Sequence, residues 1–314
     1  MNSRPHISVV SPVYQAEKIV PELVKRIHEA VSAITPDYEI VLVEDGSPDG
    51  SWQAIMAQCS VHPYVKGIKL SRNFGQHVAI SAGLRAAKGD YVVIMDCDLQ
   101  DNPSYIPELY AKASEGYDIV YTYKKVRKHS WVKNLFASLF FRLFNFLVDN
   151  ENADASKHVG SYSILGRKVV DAFNSMKEMH RHYLMVLRLL GFRSTMVEIV
   201  HEKRFEGASS YTFGRLVKHA VNGITSQSDR LLRISITVGF CMFVVSILST
   251  VYIVIRYFTT GLLNGYASTM SLLLLGTGMI MISIGITGIY IAKIFEQVKE
   301  RPLYFIDKSI NIPE

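Results

Sequence analysis

The chain has 314 residues, a formal net charge of +6, a pI of about 9.0 and a mean hydropathy of +0.16. That length predicts one large domain with an addition, and a chain both basic and apolar points to a membrane surface before nucleic acid. Three cysteines, Cys59, Cys97 and Cys241, lie too far apart for a disulfide framework or a CxxC metal site, as in a reducing compartment. The opening MNSRPHIS lacks an apolar segment, so no cleaved signal peptide is expected.

In chain order, Ile7 to Val10 reads as a strand ending at Ser11-Pro12. Apolar residues at Ile19/Val20, Leu23/Val24, Ile27 and Ala30/Val31 have the period of an amphipathic helix over Glu17 to Ala33. Tyr38 to Val43 is a strand stopped by EDGSPDG, and a short helix runs from Ser51 to about Cys59. A strand over Val65 to Leu70, a helix over Gln76 to Ala87 and a strand over Tyr91 to Met95 follow. This alternation predicts an α/β fold, a mostly parallel sheet with helices on both faces, and the continuous apolar strands agree.

Trp131 to Val148 is apolar nearly all round and follows the basic run KKVRKH. It reads either as a helix in the lipid headgroup region or as one buried under the domain. Phe213 to Arg233 reads as one or two juxtamembrane helices. Ile234 to Ile255 is uncharged over about 22 residues, roughly 33 Å as a helix, and Met270 to Ala292 forms a second span. Arg230 and Arg233 precede the spans and Lys293, Lys299 and Arg301 follow them, so both termini are expected on the cytoplasmic side. Gly276, Gly278, Gly285 and Gly288 permit close helix contact and therefore oligomerisation. Arg301 to Ile306 reads as a short terminal strand.

In open α/β sheets, ligands bind beyond the carboxyl ends of the strands. Three polar clusters fall there: Pro12-Val13-Tyr14, Glu44-Asp45-Gly46-Ser47 and Asp96-Cys97-Asp98. Each alone is ordinary turn chemistry. Three at corresponding strand ends argue for a site. Asp96 and Asp98 read as alternating off one extended backbone, so both cannot face the core, and one unpaired buried carboxylate would be costly. A divalent cation removes that cost, and an oxygen-only donor set suits Mg²⁺ or Mn²⁺.

The stretch IMDCDLQD resembles the DxD motif of family 2, GT-A glycosyltransferases, in the DxDLQ form of the polyprenyl-phosphate enzymes. SVVSPVY, VEDGSPDGS, LSRNFGQHVAISAGL, EKRFEGASSYTFGRL and the paired spans resemble that group in order and spacing. The likeness is to bacterial undecaprenyl-phosphate enzymes that transfer 4-deoxy-4-formamido-arabinose or O-antigen glucose, and more distantly to dolichol-phosphate mannose synthases. It implies a GT-A Rossmann-like catalytic domain over residues 1–212, juxtamembrane helices over 213–233, two transmembrane helices within 234–292, and a cytosolic tail over 293–314. The implied reaction is an inverting, Mg²⁺- or Mn²⁺-dependent transfer of one sugar from a nucleotide-sugar, expected to be a UDP-sugar, to polyprenyl (undecaprenyl) phosphate. The implied setting is the inner face of the plasma membrane, with the protein a homo-oligomer, a tetramer by resemblance.

The same resemblance assigns roles. Pro12, Tyr14, Glu17, Asp45, Ser47, Arg72 and Asn73 would hold the donor nucleotide. Asp98 and Gln100 would ligate the metal, with Asp96 close to the metal or to the donor ribose. Arg204 and Ser209, together with Lys124 and Arg127, would contact the phosphates. Two positions depart from the family pattern: Ser210 stands where relatives carry Lys, and Ser161 replaces the acidic residue of GDFRLxxRKVVDA, a suspected base. A lipid phosphate is largely anionic at pH 7 and needs no base, so Ser161 favours a phosphate acceptor. A processive polysaccharide synthase would need a QxxRW motif, which neither Trp52 nor Trp131 provides. A catalytically weak scaffold would rest only on Ser161 and Ser210.

Overall fold

The computed structural model describes residues 6–124, 159–179, 181–200, 230–260 and 265–312. The chain divides into two compact units. The first joins Met1–Lys128, Asn152–Ser210 and Arg301–Glu314, and the second joins His129–Glu151 and Tyr211–Glu300.

In the first unit, β1 (Ile7–Val13), β2 (Tyr38–Glu44), β3 (Val65–Leu70) and β4 (Tyr91–Ile94) pair in parallel in the order β4-β1-β2-β3. Strand side chains alternate between two apolar layers. Val9, Val13, Ile40 and Leu42 pack with α1 (Val20–Ser32), α2 (Ser51–Val61) and, after them, α4 (Ile106–Ser114). Val10, Val41, Val43 and Ile68 pack with α3 (Gln76–Ala86), α5 (Arg167–Ser175) and α6 (Tyr183–Leu189). With both faces covered, most positions of either alternate set are apolar, and among the exceptions Ser8 and Glu39 are buried and paired with each other.

Helix α1 begins at Val20 rather than Glu17. Gln15 takes a left-handed backbone (φ 51), Ala16 N donates to Ser51 Oγ at 2.9 Å, and Pro21 occupies the first turn, where its missing N–H leaves no gap. Strand β1 runs on through Ser11 and Pro12, because Ser11 to Val13 stay in register with Leu42 to Glu44.

The sheet is mixed but mostly parallel. Strands β5 (Ile119–Lys124), β6 (Val159–Gly166), β7 (Ser194–Ile199) and β8 (Ile306–Ile310) complete it in the order β7-β5-β6-β4-β1-β2-β3-β8. Strand β6 lies antiparallel between β4 and β5, and β8 lies antiparallel on β3. The terminal strand is therefore Ile306–Ile310, not Arg301–Ile306. Pro302 has no N–H to donate, and Tyr304 packs into the α3 layer instead.

The second unit holds α7 (Arg230–Thr260) and α8 (Tyr266–Val298). Leu232–Ser249 and Leu275–Val298 within them are long and apolar enough to cross a membrane, and neither is buried by protein. Ser235 Oγ donates to Ser283 Oγ across the pair at 2.9 Å. The expected helix over Trp131–Val148 and most of Phe213–Arg233 lie outside the described residues.

Candidate active site

Strand order reverses around β1: the chain builds outward through β2 and β3, then returns to place β4 on the other side. A crevice opens at such a switch point, beyond the carboxyl ends of the strands. A cavity of about 320 Å³ lies there. Its walls are Pro12, Val13 and Tyr14 after β1, Asp45 after β2, Asn73, Gly75 and Gln76 between β3 and α3, and Asp96, Cys97 and Asp98 after β4. All three polar clusters singled out in the sequence thus meet in one place.

The acidic stretch is not extended. Strand β4 stops at Ile94, Cys97 and Asp98 form a turn, and Leu99 takes a left-handed backbone (φ 55) with its side chain buried. The turn, rather than strand alternation, brings Asp96 and Asp98 to the same cavity. Asp96 Oδ1 accepts from Gln76 Nε2 at 2.7 Å and from Ser161 Oγ at 3.0 Å. Burial, then the charges of Asp101 and Asp98, push the Asp96 carboxyl up to about 6 against the pull of those two donors. Burial also pushes the Cys97 thiol up to about 12, so it stays protonated.

Asp45 is 3% exposed, and its two oxygens accept from Phe74 N at 2.7 Å and Gly75 N at 2.8 Å. Burial raises its pKa, and those two N–H bonds oppose the rise. A carboxylate has about four acceptor sites, so Asp45 retains capacity toward the cavity it lines. Gly46 adopts φ 63, and a Cβ there would stand 2.3 Å from Asn73 N. The turn after β2 therefore packs backbone to backbone on the loop after β3.

The remaining expected donor residues support the walls. Gly50 N donates to Glu17 Oε2 at 3.1 Å, and Gln15 N donates to Ser47 Oγ at 3.1 Å, knitting the loops after β1 and β2 together. The Arg72 guanidinium stacks 4.2 Å over the Phe74 ring. Gln100 N donates to Asp98 Oδ1 at 3.1 Å, and the residue is absent from the cavity wall. Lys124 closes β5 in register with Ile199. Arg127, Arg204, Ser209 and Ser210 lie outside the described residues. Gln76 is not marked in the sequence: it opens α3, several residues after β3 ends at Leu70, away from the strand ends that carry the other clusters.

No group of three His, Cys, Asp or Glu side chains among the described residues forms a closed metal cage. A cation of the magnesium type does not require one, since it takes one or two carboxylates and completes its shell with water and substrate phosphates. Asp96 and Asp98, two carboxylates on one cavity wall, fit that manner of binding.

Residues 8–172 match the family described as glycosyl transferase family 2. The chain belongs to that family. Within family 2, it is 33% identical over 307 residues to "Uncharacterized glycosyltransferase YkcC" of Bacillus subtilis, covering 97% of this chain and 94% of the relative. It is 30% identical over 310 residues to the undecaprenyl-phosphate 4-deoxy-4-formamido-L-arabinose transferase of Proteus mirabilis, covering 98% and 94%. Among solved structures, the mannosyltransferase PcManGT of Pyrobaculum calidifontis, in complex with GDP-Man and Mn²⁺, aligns at a TM-score of 0.47 and 15% identity over 96% of this chain and 89% of that one. This family 2 chain is a glycosyltransferase.

Proposed function

We propose that the protein transfers one sugar, with inversion, from a nucleotide-sugar to polyprenyl phosphate, giving a lipid-linked monosaccharide on the cytoplasmic face of the membrane. The observation that carries the reading is the meeting of Asp45, Asp96 and Asp98 on one cavity at the switch point of a family 2 chain that continues into two membrane-length apolar helices. The 30% identity to an enzyme named for undecaprenyl phosphate supports that acceptor, and a UDP-sugar is the donor we favour.

In this reading Pro12, Tyr14 and Asp45 bind the base and ribose, with Glu17, Ser47, Arg72 and Asn73 fixing the loops that hold them. Asp96 and Asp98, with Gln100 behind Asp98, would hold Mg²⁺ or Mn²⁺, which when bound supplies positive charge beside the donor diphosphate. Arg204, Ser209, Lys124 and Arg127 would hold the acceptor phosphate. A phosphate oxygen of the lipid attacks the anomeric carbon, a new C–O bond forms, and the bond to the nucleoside diphosphate breaks. No proton need be removed, because a phosphate monoester has a second pKa near 6. Ser161 agrees with this: it donates to Asp96 at 3.0 Å and is no base. We also propose a homo-oligomer, a tetramer, assembled through the spans.

The test is incubation of the purified chain with undecaprenyl phosphate, Mg²⁺ or Mn²⁺, and a panel of UDP- and GDP-sugars, read by mass spectrometry of the lipid. A lipid gaining one sugar mass is expected. Donor turnover with no modified lipid would sink the acceptor assignment.

A further inference from the structure

Asp96 reaches the cavity with one oxygen already engaged. Its Oδ1 accepts two hydrogen bonds, from Gln76 Nε2 at 2.7 Å and Ser161 Oγ at 3.0 Å. The two donors arrive from different parts of the fold. Gln76 is the first residue of α3, and Ser161 stands in β6, which lies antiparallel on β4 with Ser163 opposite Ile94.

Each donor is itself held. The Ser161 carbonyl accepts from Ser163 Oγ at 2.9 Å, and that hydroxyl lies 2.7 Å from the buried Tyr183 phenol. Gln76 follows Gly75, whose N–H is bound by Asp45 Oδ2 at 2.8 Å. The Asp45 carboxylate thereby fixes the start of α3, and α3 fixes the side chain that grips Asp96. Two carboxylates on the walls of one cavity are linked through a single helix start.

Both donors are neutral. An Arg or Lys at either place would orient Asp96 equally well and cancel its charge. An amide and a hydroxyl orient the carboxylate and leave its full negative charge for a cation, with Oδ2 the oxygen not engaged by these donors.

We propose that Gln76 and Ser161 are positioning residues that hold Asp96 as a cation ligand, and that Ser161 does in this chain what an acidic side chain there could not. This rests on the reading of Asp96 as a ligand given above. The experiment uses the full-length chain in detergent. Mn²⁺ alone is titrated, without sugar donor, and free Mn²⁺ is followed by its electron paramagnetic resonance signal. Gln76→Ala and Ser161→Ala are each expected to weaken Mn²⁺ binding about 10-fold or more, the range for lost partners of a metal ligand. Ser161→Thr keeps a hydroxyl and is expected to bind within a few-fold of the parent. Ser161→Val, nearly the same shape without the hydroxyl, is expected to match Ser161→Ala. That pair separates hydrogen bonding from packing even where the alanine variant folds poorly. Binding by all four variants within twofold of the parent, or equal binding by the Thr and Val variants, overturns the inference. A parent chain that binds no Mn²⁺ overturns the assignment of Asp96 as a ligand, and the inference with it.

Discussion

Asp96 and Asp98 share a cavity wall, yet burial and neighbouring charge act on Asp96 in opposition to its donors, leaving its carboxyl at about 6. A folded-state pKa raised above the ordinary 3.8 means that the metal-free protein binds a proton there more readily than the unfolded chain does. This group therefore lowers stability above pH 6, and the loss is relieved as pH falls through 6 toward 4. A cation competes for the same charge, so Mn²⁺ affinity should be flat above about pH 6 and fall close to tenfold per unit below it. Titrations between pH 5 and 8 would show this, and an affinity independent of pH would count against Asp96 as a ligand. Asp98→Asn should lower turnover by on the order of 10²-fold or more with unchanged circular dichroism, the scale of removing one preorganised electrostatic group. Ser161→Asp removes a donor to Asp96 and sets a like charge beside it. Turnover on polyprenyl phosphate should fall several-fold, whereas a tenfold rise would reveal a missing base. The three carboxylates of the site were legible because strands end in polar clusters at known places. Gln76 was not, since a lone glutamine has no pattern, and its tie to Asp96 depends on where α3 begins relative to the end of β4.

The sheet strands that were readable from sequence are those whose two faces are covered. Strands β1 to β4 are apolar runs bounded by turn residues, and their ends came within three residues. Strands β6 and β7 were not read. Ser161 and Ser163 break the apolar run of β6, and its place between β4 and β5 is set by antiparallel pairing that no local pattern announces. Strand β8 shows the same limit more sharply: IDKSI is exposed along most of its length and is a strand because β3 offers an open edge. That edge leads into the site. Ser71 N donates to Phe305 O at 2.9 Å, and Asn311 Nδ2 donates to the carbonyls of Cys59 and Val65 at 3.0 and 2.9 Å. Ending the chain at Glu300 removes these bonds together with the β3 ladder, each worth roughly 0.5–1.5 kcal/mol. The unfolding midpoint should drop by on the order of 10 °C, and nucleotide affinity should fall because Arg72 and Asn73 lose their anchored neighbour. A truncated chain with unchanged midpoint and affinity would show that β8 is dispensable. Gly46→Ala is the complementary test: a positive φ and a Cβ 2.3 Å from Asn73 N should weaken donor binding at least tenfold while the sheet still forms.

For the molecule as a whole, the connection between the sheet unit and the apolar helices bears on how the chain would sit in a membrane. Strand β8 belongs to the same sheet as β1 to β4, and it begins a few residues after α8 ends at Val298. We propose a two-helix hairpin: a chain in which α7 and α8 both cross the membrane returns to the side it left, where β8 pairs with β3. The charges agree: Arg230 and Arg233 stand before the first helix, Lys299 and Arg301 after the second, and Arg256 near the end of the first helix is the lone basic residue toward the connection. Among the described residues, no atom lies within 4 Å of a Cβ built at Gly276, Gly278, Gly285 or Gly288 in the second apolar helix. Reporter fusions decide the topology. A fluorescent protein joined after Glu314 should fluoresce and alkaline phosphatase there should be silent, while insertions between Thr260 and Gly265 should give the reverse. Phosphatase activity at Glu314 would place the terminus outside, and with it the whole sheet, beyond reach of any cytoplasmic nucleotide-sugar.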